Sequence, residues 1–340
     1  LLHRLRRALL AAVAACALLG LAQPASAATP HTDLPAPTAG TWLSGAHEQV
    51  GPANWTNFGT WRGRPVDVAV DFTNAPSWSS LLDSPRWLAD KHAGLSAHFV
   101  LSMQPWPTGM DSTGKPLADM YRCASRYYDS YYTQMAKNLV AYGYRNATIR
   151  LAWEQTGFWF PWGRQTWNGY RNQDFYGSCW RNIWRAMEAV NPAFTWDWNI
   201  SDQHVDPTPW YPGDAYVDYV GGDFYDIGVA NKDDHTGSVY QELHGAYTAD
   251  YMASFARAHH KPLAITEWGL VWKCPSNTSY QWQGGDDPYY VQSMRDWFTS
   301  NRDILAWESY FDGADGPCHS DVLYRDWLFP SASALYRSLW

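Results

Sequence analysis

No serine in this chain stands in a Gly-x-Ser-x-Gly elbow, and no His-Glu-x-x-His occurs. Those absences remove the sequence marks of an α/β-hydrolase nucleophile and of a helical zinc peptidase. His47-Glu48 continues as Gln49-Val50-Gly51 and so lacks a second zinc histidine. No dinucleotide or phosphate loop follows an early strand pattern, and Gly221-Gly222 falls inside a strand pattern rather than in a loop. Cysteine is scarce: the five present are far apart and lack zinc-like pair spacing. Asp226, Asp233 and Asp234 offer oxygen ligands without the spacing of a defined calcium loop, so they read as a solvated acidic turn. No metal and no cofactor is expected. Repeats, long internal linkers and low-complexity tracts are also missing.

The longest apolar run, Ala8 to Ala22, is too short for a comfortable membrane span. It lies between a basic stretch (His3, Arg4, Arg6, Arg7) and Ala25-Ser26-Ala27, so residues 1–27 read as a signal peptide and the product as secreted. Residues 28–40, rich in Pro, Thr and Ala, read as a flexible leader, and residues 41–340 as one domain. Loss of the signal peptide's three arginines would take the formal charge from -8 to -11. Such an acidic protein is a poor nucleic-acid binder and would be repelled by polyanionic glycans. Cys16 leaves with the signal peptide. Of the three pairings open to Cys123, Cys179, Cys274 and Cys318, Cys123–Cys179 with Cys274–Cys318 is the choice, because each bond would tie neighbouring loops.

What is present in quantity is aromatic: 22 Trp and 22 Tyr among 340 residues. Eight short β-rich runs recur, at Trp42–His47, Val66–Asp71, Leu95–Ser102, Ala147–Trp153, Phe194–Asn199, Val217–Asp223, Pro262–Glu267 and Ile304–Ser309. Helical stretches intervene, including Tyr131–Tyr142, Trp180–Val190, Ala246–His260 and Tyr289–Thr299. Strand–helix alternation with strands apolar on both faces argues for a parallel sheet covered by helices, and eight units favour a closed (β/α)8 barrel of the α/β class.

Two glutamates end predicted strands, Glu154 after Ile149-Arg150-Leu151-Ala152-Trp153 and Glu267 after Leu263-Ala264-Ile265-Thr266. Carboxyl ends of barrel strands bring distant residues together. A carboxyl pair about 5 Å apart can cleave a glycosidic bond with retention, one group protonating the leaving oxygen and the other attacking the anomeric carbon. Glu154, beside Trp153 and an aromatic loop, suits the acid/base, and Glu267 the nucleophile. Arg150 could hold Glu267 ionised through charge-assisted hydrogen bonds, and Tyr225 could donate to the same carboxylate.

The segments Ile149-Arg150-Leu151-Ala152-Trp153-Glu154-Gln155-Thr156-Gly157-Phe158-Trp159-Phe160-Pro161-Trp162, Tyr211-Pro212-Gly213-Asp214-Ala215-Tyr216-Val217-Asp218-Tyr219-Val220-Gly221 and Ile265-Thr266-Glu267-Trp268-Gly269 resemble the β-mannanase family 26 of the glycoside hydrolases. The resemblance runs from about Trp42 to Phe311. It implies a (β/α)8 barrel and a retaining mechanism. It also implies Glu154 as acid/base, Glu267 as nucleophile, Tyr225 as the nucleophile's partner and Trp307 as the platform under the sugar at the cleavage point. Substrates implied are β-1,4-mannan and its galactose- or glucose-bearing forms, with β-1,3-xylan or mixed-linkage glucan for some members. The family usually has His just before the acid/base and Asn two residues after it; here Trp153 and Thr156 stand there. An indole offers area and one N–H donor where an imidazole would offer two polar nitrogens.

Trp106, Trp153, Trp159, Trp162, Trp198, Trp268 and Trp307 are the rings expected to stack on sugar faces, and His204 is a further substrate-contact candidate with a bland surface role as its rival. The expected partner is a polysaccharide or oligosaccharide, with no nucleic acid or membrane, and the chain is expected to be a monomer. An exo-acting enzyme and a non-catalytic carbohydrate-binding barrel are the competing readings.

Overall fold

A computed structural model describes residues 41–48, 54–167, 170–201, 204–227, 235–271, 284–313 and 328–340. Eight parallel strands close into a barrel: β1 (Leu43–Glu48), β2 (Val68–Phe72), β3 (His98–Met103), β4 (Thr148–Leu151), β5 (Thr195–Ser201), β6 (Tyr219–Asp226), β7 (Leu263–Leu270) and β8 (Leu305–Asp312). Each pairs with its neighbour in chain order, and β8 returns to β1 in the register Leu43↔Trp307 to Glu48↔Asp312. The closed (β/α)8 architecture expected from the alternation is therefore the one adopted. Every expected strand overlaps an observed one, with ends displaced by a few residues. At β3 the start moves from Leu95 to His98, because Leu95 closes a turn by donating its N–H to the His92 carbonyl at 3.0 Å.

Helices α1 (Asn54–Arg62), α2 (Trp78–Lys91), α3 (Met120–Ala124), α4 (Asp129–Ala141), α5 (Gln173–Glu188), α6 (His235–His244), α7 (Ala249–Ala258), α8 (Pro288–Ser300) and α9 (Pro330–Leu339) occur in the connections and after β8. Side-chain capping marks some of the starts: Ser77 and Ser80 form a reciprocal box at α2, and Asp287 accepts from two backbone N–H groups ahead of Pro288 at α8. A two-residue antiparallel hairpin, Thr166–Trp167 with Tyr170–Arg171, stands outside the barrel between β4 and α5. Cys123 on α3 and Cys179 on α5 form a disulfide across a separation of 56 residues. Cys274 and Cys318 lie outside the described residues. Among the described residues, no helix is long and apolar enough to cross a membrane.

The barrel interior is layered, and the layering follows from period-2 alternation along each strand. Toward the strand starts, Val68, Val70, Val100, Tyr219, Ala264 and Trp307 fill it as an apolar plug. Toward the strand ends the inward positions turn polar: Asp197, Asn199 and Ser201 on β5, Asp223 and Tyr225 on β6, Thr266 and Glu267 on β7. Their neighbours on β5, Trp196, Trp198 and Ile200, belong to the larger core between strands and helices.

Candidate active site

β4 ends on two residues in the left-handed region, Ala152 (φ 47) and Glu154 (φ 52), either side of Trp153. Non-glycine residues rarely adopt this conformation, and pairs of them at a strand end are a strain that the surroundings must hold. The hold is visible. Ala152 donates its N–H to the Met103 carbonyl at 2.9 Å, Tyr176 donates its hydroxyl to the Ala152 carbonyl at 3.2 Å, and the Trp162 indole donates to the Trp153 carbonyl at 2.8 Å. Thr156, standing where the family usually has Asn, donates its hydroxyl to the Ser201 carbonyl at 3.0 Å and so ties this loop to the end of β5.

Glu267 reaches the interior by a different device. The pairing of β6 with β7 shifts register between Gly222 and Asp223, whose partners are Ile265 and Glu267. Such a bulge re-aims side chains. Thr266 donates to Asp197 at 2.7 Å, while the next residue, Glu267, also meets the interior guanidinium of Arg150.

Arg150 is the centre of the arrangement. Fully buried, it donates to Glu267, to Asp223, to Ser102 Oγ at 2.9 Å and to Asn199 Oδ1 at 2.9 Å. Burial alone would lower its pKa, but Asp223, Glu267 and Asp197 outweigh it and hold the guanidinium above its ordinary value. Asn199 completes the link between the two glutamates. Its Oδ1 accepts from Arg150 and, at 3.4 Å, from the backbone N–H of Glu154, while its amide donates to Asp223 at 2.8 Å. The Tyr225 hydroxyl donates to Glu267 Oε2 at 2.5 Å, and burial followed by the negative charge of Glu267 keeps that phenol far above its usual pKa, so it stays a donor. Glu154 and Glu267 both act electrostatically on Tyr225 and on Asp223, which places the two carboxylates about one centre.

Aromatic groups surround this charge. Trp159, 39% exposed, donates its indole N–H to Glu154 Oε2 at 2.8 Å. Trp153 packs against Phe72, Phe160 and Trp162, with the Arg150 guanidinium 5.9 Å from its ring. Phe311, at the end of β8, stacks on His47 at 4.6 Å and stands 5.8 Å from Tyr225. Trp106 and Trp159 share a small cavity on the Glu154 side.

The structure brings Glu154, Glu267, Arg150, Tyr225, Trp153 and Trp159 together, with Trp162 one layer behind as the ring that fixes Trp153. It does not bring Trp198, Trp268 or Trp307 to the carboxylates. Trp198 packs outward against Tyr211 and Phe255, and Trp268 outward against Phe298, Tyr310 and Trp340. Both directly neighbour inward residues, Asn199 and Glu267, and alternation sends them to the opposite face. Trp307 points inward but four residues before Phe311, roughly 13 Å lower along β8, where it packs on Tyr219. His204 is exposed and anchors the α6–α7 turn through Nδ1 and the Ala246 carbonyl at 3.0 Å. Of the acidic turn, Asp226 is buried at the end of β6, and Asp233 and Asp234 lie outside the described residues. Sequence reasoning missed Asn199, Asp223 and Phe311. The alternation Asp197-Trp198-Asn199-Ile200-Ser201 carries a readable signal for the first: three polar residues at period two in an otherwise apolar strand.

A model of the glycosyl hydrolase family 26 matches residues 126–289, a span that includes Glu154, Asn199, Asp223, Tyr225 and Glu267. A curated protein, Endoglucanase H of Acetivibrio thermocellus, is 27% identical over 214 residues, covering 61% of this chain and 21% of that protein. The match thus spans about a fifth of that relative's length. Among solved structures, the modular endo-β-1,4-mannanase of Cellulomonas fimi superposes with a TM-score of 0.57 at 16% identity, over 86% of this chain and 70% of that one. The family 26 β-mannanase of Bacteroides ovatus gives 0.53 at 15% identity, over 89% and 88%. Over residues 126–289, which carry both glutamates, the chain is thus similar to glycosyl hydrolase family 26, and its barrel is the fold of the solved relatives.

Proposed function

We propose that the chain is a secreted, retaining endo-glycoside hydrolase that cleaves a neutral β-linked polysaccharide, mannan-like or a related β-glycan, by double displacement. The observation that carries this reading is the connection of Glu154 to Glu267 through Asn199 and Arg150 at the carboxyl ends of β4, β5 and β7. Glu267, with one oxygen held by Arg150 and the other by Tyr225, attacks the anomeric carbon. Glu154 gives its proton to the leaving oxygen, and the Trp159 N–H steadies the carboxylate that remains. Glu154 then takes a proton from water, which releases the sugar from Glu267. The Glu267–Tyr225 hydrogen bond must yield as the glycosyl bond forms, so Tyr225 acts by orienting the nucleophile before attack.

Endo action is supported by the names of the neighbours, two β-mannanases and an endoglucanase. A signal-peptide pattern at residues 1–27, outside the described residues, and a disulfide suited to an oxidising compartment support export. A single catalytic domain over residues 41–340 that works as a monomer completes the proposal.

The test is product analysis of the purified chain on mannan, glucomannan, β-1,3-xylan and mixed-linkage glucan, with Glu267→Ala alongside. Short oligosaccharides from wild type alone are expected. Equal turnover by both proteins would sink the mechanism, and release of single sugars from chain ends would replace endo by exo action.

A further inference from the structure

The cavity shared by Trp106 and Trp159 has a volume of about 190 Å³ and is walled by Trp106, Met110, Pro116, Met120, Trp159 and Pro161. Its position is informative. Trp159 is at once a wall of this pocket and the donor to Glu154 Oε2, so the pocket opens beside the carboxyl that serves the leaving group. The loop before it is rigidly placed: Gln104 donates to the Ala75 and Trp106 carbonyls at 2.8 and 2.9 Å, and a bridge pairs Met110 with Pro116.

Its chemistry is unlike that of a subsite for a bare pyranose. A sugar ring brings several hydroxyls, each needing a partner when water is removed. Here the amide donors along the wall are already engaged: Asn172 donates to the Pro161 and Gly163 carbonyls, and Gln165 to those of Phe158 and Phe160. Asp119 accepts from the Arg122 backbone N–H at 2.8 Å, and apart from it and Thr108 what remains is mostly ring, thioether and proline surface, with Met110 61% exposed at the rim. An occupant that suits such walls is apolar, has few hydrogen-bonding groups and is attached to something lying across Trp159.

Resting on the hydrolase reading above, we propose that this pocket receives an acyl ester substituent carried by the sugar on the leaving-group side of the scissile bond. The chain then prefers acylated glycans. Occupancy packs one face of Trp159 and steadies the indole that holds Glu154.

Calorimetric titration of the full chain carrying Glu267→Ala tests it, with β-1,4-glucomannan oligosaccharides in O-acetylated, hydroxycinnamoylated and saponified forms. At least one acylated form is expected to bind about five-fold tighter than the saponified one. Which acyl form wins identifies the substituent. Ala118→Leu, which fills the pocket, and Met110→Asp, which charges its rim, should each cut the preference below about two-fold. Should Ala118→Leu fail to fold, the exposed Met110→Asp decides alone. Equal affinity for all three forms, no binding of any, or a preference that survives the substitutions overturns the proposal. Wild-type turnover of the saponified oligosaccharide is scored separately. Turnover without acyl preference sinks the pocket and leaves the hydrolase; acyl preference without turnover does the reverse.

Discussion

Glu267 and Glu308 sit on adjacent strands of one barrel, both buried, and the protein treats them in opposite ways. Glu267 faces inward and meets a full positive charge on Arg150 together with the Tyr225 hydroxyl. Glu308 faces outward into the aromatic layer, where neutral donors hold it: the indoles of Trp268 at 2.6 Å and Trp340 at 2.8 Å. Burial pushes the Glu308 carboxyl up, and the hydrogen bonds from Ser44 and Trp268 only partly offset it. The carboxylate proposed as nucleophile is given a cation and a bulge that aims it. The one that holds a β-strand to two tryptophans has neutral indoles as its hydrogen-bond partners, and the Arg62 and Arg295 charges act on it without a direct ion pair. Between these two glutamates, a direct ion pair accompanies the proposed chemistry and neutral donors accompany packing.

The sharpest way to break the comparison is to remove each carboxylate in turn and watch activity. Glu267→Ala should lower kcat/KM by on the order of 10⁴-fold or more with the fold retained by circular dichroism. Loss of the same size in Glu308→Ala without unfolding would erase the distinction. Arg150→Met, which strands Glu267 and Asp223 without their cation, should destabilise by about 3–5 kcal/mol in urea titrations and also abolish turnover.

A pH experiment sharpens the same contrast. Asp197 shares the interior but lacks a direct bond to Arg150, and burial pushes its carboxyl up to about 7, the nearby guanidinium and the Thr266 hydroxyl offsetting only part. Because its folded pKa exceeds the ordinary 3.8, the folded state binds the proton more tightly. The resulting stability is complete below that value and is lost as pH rises through about 7. Wild type should therefore lose up to about 4 kcal/mol from this group as pH rises from about 4 through about 7. Asp197→Asn should flatten that slope in denaturation curves taken across the window; an unchanged slope would remove Asp197 as its source. The smallest effect belongs to the outer carboxylate. Glu308→Gln leaves one indole N–H without an acceptor and should cost about 1–3 kcal/mol, read as a lower urea midpoint with kcat unchanged.

Much of the molecule was legible in the chain. Eight β-rich runs with helical stretches between them specified the barrel, because burial on both faces of a parallel strand writes a continuous apolar signal. Glu154 and Glu267 could be singled out because a charged residue ending such a run is conspicuous. Tryptophan was harder to read. Trp198 and Trp268 look like subsite rings in the sequence, yet they lie on the helix-facing side of β5 and β7. Adjacency to a site residue along a strand is an argument for the opposite face, and that argument needs the position of every bulge.

Sequence alone therefore determined the fold class, the pair of carboxylates and the cysteines that could bond, since each is written in local pattern or residue type. Only the tertiary structure decided which rings stand near Glu154 and Glu267, that Asn199 joins the two glutamates, and that Phe311 rather than Trp307 lies at their level. Those facts depend on register, on the bulge before Glu267 and on the left-handed turn at Glu154. Each is a compromise among strands and loops distant in the chain, and no short window of residues contains it.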